Sequence, residues 1–124
     1  FFKQNGINTD IVDEETLHVG TGFEGSKMDM YFAFEEDSNV HITGLNFIEI
    51  PEGRIEQMYK VVNEANDKFA YIKFTVDEEH RQIIARDDAV IQLDSCGGEC
   101  LELSFRMVRV VEAAYPTFMK SIWA

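Results

Sequence analysis

Two short stretches of the 124-residue sequence carry residue types that can do chemistry. Residues 20–25 read GTGFEG, which matches the glycine pattern G-x-G-x-x-G that holds nucleotide phosphates. A phosphate-binding loop of this kind leads into a helix, because the unpaired N–H groups at a helix N-terminus attract anions. Here an alternating, strand-like run follows, and the other motifs of a protein kinase are missing. We therefore interpret GTGFEG as the turn of a β-hairpin in which glycine supplies a positive φ.

The second stretch contains both cysteines, Cys96 and Cys100. Structural zinc needs four ligands, and the sequence has no second cysteine or cysteine–histidine pair to complete the set. A position in the first turn of a helix would favour the thiolate of Cys100, which would suit a thiol-dependent enzyme or a redox protein. The alternative is that the two thiols pack as small apolar side chains at a strand-to-helix junction.

The remaining titratable residues do not converge in the predicted fold. His18, His41 and His80 fall on the first strand, the third strand and a turn, so no two of them are neighbours. Asp87 and Asp88 are adjacent in a strand, which points their side chains to opposite faces and prevents them from acting as a carboxylate pair. We therefore expect surface histidines, no metal site, no cofactor and no catalytic residues.

Alternation of apolar and polar residues predicts five strands. They cover about residues 17–23, 28–35, 40–43, 69–76 and 82–93. Gly44 interrupts the third strand and is predicted to form a bulge. Met30, Phe32, Ile72 and Phe74 are predicted to face the helices.

Apolar residues at spacings of three and four predict two main helices. The first begins after Pro51 and ends near Asn66, and the second covers about residues 99–115. Pro116 is predicted to end or kink that helix, with a short terminal helix at residues 117–123. The order βββαββα, preceded by the tail of another helix, indicates an α+β fold: an antiparallel five-stranded sheet with helices packed on one face.

Two surfaces in this arrangement are suited to protein contacts. The last helix has a wide apolar arc, which predicts packing against its own sheet and against either the short terminal helix or a second subunit. Tyr31, Phe69, Tyr71 and Lys73 are predicted to point away from the helices and to form a partner or dimer face. The alternative is that aromatic residues are simply common in strands.

The charge balance limits the classes of partner. Asp and Glu number 23 against 11 Lys and Arg, and the net charge of -12 repels nucleic acid and anionic lipid surfaces. A cationic or amphipathic polypeptide fits this charge, unless the acidity serves only to keep the protein soluble. No run of 18 apolar residues exists, so we expect no membrane segment. Two cysteines are compatible with a reducing cytoplasm, where we expect the protein to reside.

Three segments of the chain resemble the YbjN family of bacterial sensory transduction regulators. They are VNEAN at residues 62–66, FAYIKFTVD at residues 69–77, and the run from residue 108 to Tyr115 and Pro116. The family's fold is similar to that of type III secretion chaperones, and the resemblance extends over nearly the whole chain. It implies a single domain over residues 1–124 that lacks part of its first helix, forms dimers, acts through protein contacts and carries no catalytic residues.

We therefore expect a non-catalytic protein-binding or regulatory domain, chaperone-like and acting as a homodimer. Secretion chaperones bind extended segments of client proteins, and the acidity and the mixed sheet face are consistent with such binding. Two alternatives remain: a small thiol-dependent enzyme or redox protein that uses Cys100, and a structural subunit of a larger assembly.

Overall fold

The computed structural model describes residues 9–11, 16–23, 26–35, 39–90 and 96–123, with side chains for all of these except 9–11, 96 and 97. They form an antiparallel sheet with two helices, which confirms the predicted α+β class. The elements are β1 (Thr9–Ile11), β2 (Thr16–Phe23), β3 (Ser26–Phe34), β4 (Asn39–Leu45), α1 (Ile55–Lys68), β5 (Lys73–Asp77), β6 (Gln82–Val90) and α2 (Cys96–Trp123). Across the sheet the strands follow the order β1-β2-β3-β4-β6-β5. The five predicted strands are all present, and the three-residue β1, too short to show alternation, is added at one edge.

The glycine pattern lies in the hairpin that joins β2 to β3. The pairing of these strands runs up to Phe23 opposite Ser26, so the chain reverses between them as predicted. Gly20 and Gly22 lie within β2 and have no positive φ. The turn residues 24 and 25 lie outside the described residues, as do the predicted N-terminal helix tail and the last part of the predicted fifth strand.

The hydrophobic core lies between the sheet and the two helices. Met30, Phe32, Ile72 and Phe74 are all buried, which confirms the face predicted for them. Each such side chain contributes about 1.5–3 kcal/mol when it is fully removed from water. The buried residues of α2 recur at spacings of three and four and form one stripe: Cys100, Ser104, Met107, Val111, Ala114, Phe118 and Ile122.

Gly44 does not form the predicted bulge. It pairs regularly with Met30 on β3 and with Ala85 on β6. A Cβ atom at this position would lie 2.7 Å from Sδ of Met28 and 3.4 Å from Sδ of Met107. Glycine is therefore explained by the close packing of two buried methionines above the sheet and not by a break in the strand.

Helix α2 runs through Pro116, so the prediction that the helix ends there and the separate terminal helix are wrong. A proline removes one backbone hydrogen bond, but the apolar stripe continues past it. Phe118 is fully buried and its ring meets that of Phe74 edge to face, with centroids 5.1 Å apart. Packing on both sides of the proline therefore keeps the helix continuous. Within the described part of the chain, neither helix combines the length and apolar composition needed to cross a bilayer.

Helix α1 begins at Ile55, four residues later than Pro51, because Gly53 adopts a φ of +88° in the intervening turn. The other end of α1 is Lys68, two residues beyond the predicted stop at Asn66, and the side chain of Asn66 contacts β5. Its side-chain amide donates to the carbonyl of Phe74 (2.9 Å) and accepts from the N–H of Phe74 (2.6 Å). Asn66 therefore takes the place of a neighbouring strand at the outer edge of β5.

Replacing Asn66 with alanine should lower the free energy of unfolding by about 2 kcal/mol, because Phe74 would lose both hydrogen bonds in a partly buried position. Urea denaturation followed by circular dichroism measures the change. Asn63→Ala, an exposed position on the same helix, is the matched control and should change the value by less than about 0.5 kcal/mol. Equal losses in the two variants would show that the Asn66 clamp does not stabilise the fold.

Candidate binding groove

A groove of about 890 Å³ lies between the end of β6 and the first half of α2. We call it the β6–α2 groove. Its walls are Ala89 and Val90 on β6 and Gly98, Glu99, Leu101, Glu102, Leu103, Phe105, Arg106 and Arg109 on α2.

Exposed apolar surface is concentrated at this groove. Five large apolar or aromatic side chains are exposed in the described residues, and two of them, Val90 (74%) and Phe105 (52%), line the groove. A third, Tyr71, stacks on the groove residue Arg106, with 4.4 Å between the guanidinium carbon and the ring centroid. Solvent-exposed apolar groups that cluster in this way are typical of contact surfaces.

Arg106 links α2 to β6 through an ion pair with Asp87. Its Nε and Nη2 atoms donate to Oδ2 of Asp87, at 3.1 and 2.5 Å. Asp87 is 4% exposed, and burial raises the pKa of its carboxyl group, with the Arg106 guanidinium acting in the opposite direction. The pair is therefore a partly buried ion pair that Tyr71 covers from one side.

Beside the groove, part of the edge of β6 has no neighbouring strand in the described residues. Strand β5 begins with Lys73 opposite Arg86, whereas β6 continues to Val90. Tyr71 has a φ of +70°, which the extended conformation of a strand does not allow, so β5 cannot continue along residues 87–90. Within the described residues, the strand edge is therefore unpaired where the groove begins.

The direction of the open backbone groups follows from the alternation of an antiparallel ladder. Because Phe74 directs its N–H and carbonyl outward to Asn66, the inward groups of β5 are those of Lys73, opposite Arg86. Two and four residues past Arg86, Asp88 and Val90 therefore direct their backbone groups to the same side of β6. The Asp87 carboxylate accepts from the Asp88 N–H, which leaves the Asp88 carbonyl and both backbone groups of Val90 at the open edge.

Of the four residues predicted to form one contact face, Tyr31 and Lys73 lie in one row on the uncovered side of the sheet, whereas Phe69 and Tyr71 lie outside the strands. Tyr31 lies on the uncovered side of β3, with its ring 4.9 Å from that of His18. Lys73 begins β5, and its Nζ donates to the carbonyls of Asn66 and Phe69 at the end of α1. Phe69 caps α1 and packs against the core, because the alternation attributed to a strand belongs to the helix end. Of the four, Tyr71 alone reaches the groove region, through Arg106.

The three histidines lie apart from one another, and each contacts its own carboxylate partners. His18 contacts Asp29, His41 contacts Glu35 and Asp88, and His80 contacts Asp77. Asp87 and Asp88 lie on opposite faces of β6, as predicted, since one meets α2 and the other meets His41. Among the described residues no group of three His, Cys, Asp or Glu side chains is arranged to hold a metal ion.

Cys100 is buried within α2, at 3% exposure. Reactive thiols are partly exposed to solvent, so this position favours the packing interpretation of the thiol. The side chain of Cys96 lies outside the described residues.

Comparison of the chain with protein families, curated proteins and solved structures found no match. The resemblance to the YbjN family therefore stays a prediction.

Replacing Asp87 with alanine should destabilise the fold by about 2 kcal/mol, because Arg106 would keep its charge in a partly buried position without a carboxylate. Asp67→Ala removes an exposed carboxylate from α1 and should have little effect. The double variant Asp87→Leu, Arg106→Met should recover most of the loss. Thermal and urea unfolding provide the measurement, and equal losses at positions 87 and 67 would contradict the stabilising role of the pair.

Proposed function

We propose that this chain is a non-catalytic, chaperone-like protein-binding domain that receives an extended polypeptide segment in the β6–α2 groove. The observation that carries the proposal is the combination of an open strand edge at residues 87–90 with the exposed side chains of Val90, Phe105 and Tyr71. Strand addition to such an edge uses backbone hydrogen bonds for affinity and neighbouring pockets for selection of side chains.

The two strand edges at this side of the sheet differ in a way that favours β6 over β5. Asn66 occupies both outward backbone groups of Phe74, so an incoming segment would have to displace the side-chain amide to pair with β5 there. At β6 the Asp88 carbonyl and the Val90 backbone groups have no such neighbour among the described residues. An added segment would therefore lie in line with β5, beyond Tyr71.

The side chains of such a segment would meet two different surroundings. Residues that point toward α2 would contact Leu101 and Phe105, whereas the alternate residues would lie beside Asp88 and Val90 on the uncovered face. The net charge of -12 attracts a basic partner and raises its rate of association. We therefore propose a partner segment that alternates apolar and basic residues.

The location proposed for this activity is the cytoplasm. Two cysteines in 124 residues are too few for a disulfide scaffold, as expected for a protein that works in a reducing compartment.

A synthetic octapeptide that alternates lysine and valine, acetylated and amidated, should bind with a Kd of about 10–100 μM, since the contact is short. Phe105→Ser should weaken this binding at least about tenfold, because the apolar wall of the groove is lost. Trp123→Ser, which removes another exposed aromatic residue of α2, is the matched control. Fluorescence anisotropy with a labelled peptide measures both.

Two further peptides test the mode of binding. An octapeptide that alternates glutamate and valine should not bind, because its charge is repelled. Methylation of the backbone nitrogens at alternate positions should abolish binding for one of the two possible sets and leave the other set unaffected, as the period of a strand requires. Failure of the lysine–valine peptide to bind, or equal binding by Phe105→Ser and Trp123→Ser, would refute the proposed site.

The homodimer expected from the sequence is proposed to use the same groove, because two copies could bury Val90 and Phe105 together. Light scattering at micromolar concentration should then detect a dimer that Phe105→Ser dissociates. A strict monomer would exclude the dimer and leave the peptide-binding proposal in place.

A further inference from the structure

We propose that His41 makes binding at the β6–α2 groove depend on pH, so that a basic segment binds more tightly once His41 has lost its proton. The inference rests on the function proposed above and concerns the regulation of the same site. It follows from the position of His41 between two carboxylates, one of which belongs to the open part of β6.

The hydrogen bonds of His41 require a charged ring. Its Nε2 lies 2.8 Å from Oε1 of Glu35, and its Nδ1 contacts Oδ1 of Asp88. An ionised carboxylate can only accept hydrogen bonds, so both ring nitrogens must carry a proton. The geometry therefore describes an imidazolium that links the end of β3, through β4, to β6. The pKa of His41 is raised above its ordinary value of 6.5 by the hydrogen bond to Asp88 first and then by that to Glu35.

We call His41, Glu35 and Asp88 the His41 cluster. Loss of the His41 proton changes the net charge of this cluster from -1 to -2, because both carboxylates stay ionised. A neutral ring can donate to only one of them, which leaves the other without its hydrogen bond. The next row across this face carries His18 on β2, Tyr31 on β3, Arg86 on β6 and Lys73 on β5, and other rows of the face carry Lys27, Asp29 and Asp77. Arg86 and Lys73 stay cationic throughout, and His41 is the histidine that contacts the open part of β6 through Asp88.

The His41 cluster is close enough to the groove for its charge to change the affinity for a bound segment. Asp88 directly precedes the groove residues Ala89 and Val90. A strand added beside β6 would lie two strand spacings from β4, about 10 Å, which is about one Debye length at 0.1 M salt. One additional negative charge at this distance should tighten the binding of a basic peptide about twofold to fourfold at low ionic strength.

The effect of the proton on folding has the opposite sign. Because the pKa of His41 is higher in the folded chain, the stabilisation from its two contacts is fully present below pH 6.5 and is lost as the pH rises through the raised value. The cross-strand contacts are therefore weakest under the conditions in which the basic partner binds best.

The experiment measures binding of the lysine–valine octapeptide from pH 5.5 to pH 9 at low ionic strength. For the unaltered chain the Kd should fall about twofold to fourfold across the titration of His41. His41→Gln should bind with the tighter constant at every pH. His80→Gln is the matched control, since His80 pairs with Asp77 at the other end of β6, and it should keep the pH dependence.

A second measurement follows the proton itself. By reciprocity, saturating peptide should lower the NMR titration midpoint of His41 by about 0.3–0.6 pH units and leave that of His80 unchanged. Binding that is independent of pH, a pH dependence that persists in His41→Gln, or an unmoved His41 midpoint would overturn this inference alone. Absence of peptide binding at every pH would overturn it together with the proposed function.

Discussion

Strand β6 extends four residues beyond its pairing with β5, and the backbone N–H and carbonyl groups left without a strand there determine the structure around the groove. Lys73 is the first residue of β5, and its partner Arg86 lies four positions before the end of β6 at Val90. Unpaired backbone groups at a strand edge need hydrogen-bond partners, which solvent supplies at the exposed residues Asp88 and Val90 until another strand is added. Tyr71, with its positive φ, ends the pairing and creates this need.

Side chains near this edge provide hydrogen-bond partners for some of its backbone groups and not for others. The Asp87 carboxylate accepts hydrogen bonds from Arg106 and from the Asp88 N–H. The bond to Arg106 links α2 to the sheet next to the first residue of β5. The same ion pair holds Arg106 under the ring of Tyr71 at the wall of the groove. What remains is an apolar wall next to a strand edge, a combination suited to an extended partner. The ion pair that stabilises the fold and the strand edge proposed to bind a partner are thus neighbours on β6.

The two faces of the sheet have different roles for a related reason. The covered face is closed mainly by methionine, phenylalanine and isoleucine, and its ion pair of Asp87 with Arg106 lies beside the groove. The uncovered face is crossed instead by contacts between histidines and carboxylates, from His18 with Asp29 on β2 and β3 to His41 with Asp88 on β4 and β6. Protonation can therefore act on the uncovered face without disturbing the core, and Asp88 connects that face to the groove.

The sequence by itself determined the fold class, the five longer strands, the two helices and the buried face that includes Phe32 and Phe74, because a period of two or of 3.6 residues is a local property. It missed Phe105, an exposed aromatic residue whose significance lies in lining the groove beside the open edge of β6. Only the tertiary structure decided that β5 begins no earlier than Lys73, that α2 continues through Pro116 and that the open edge lies beside α2. Each of these depends on contacts between residues far apart in the chain, and no local pattern records such contacts.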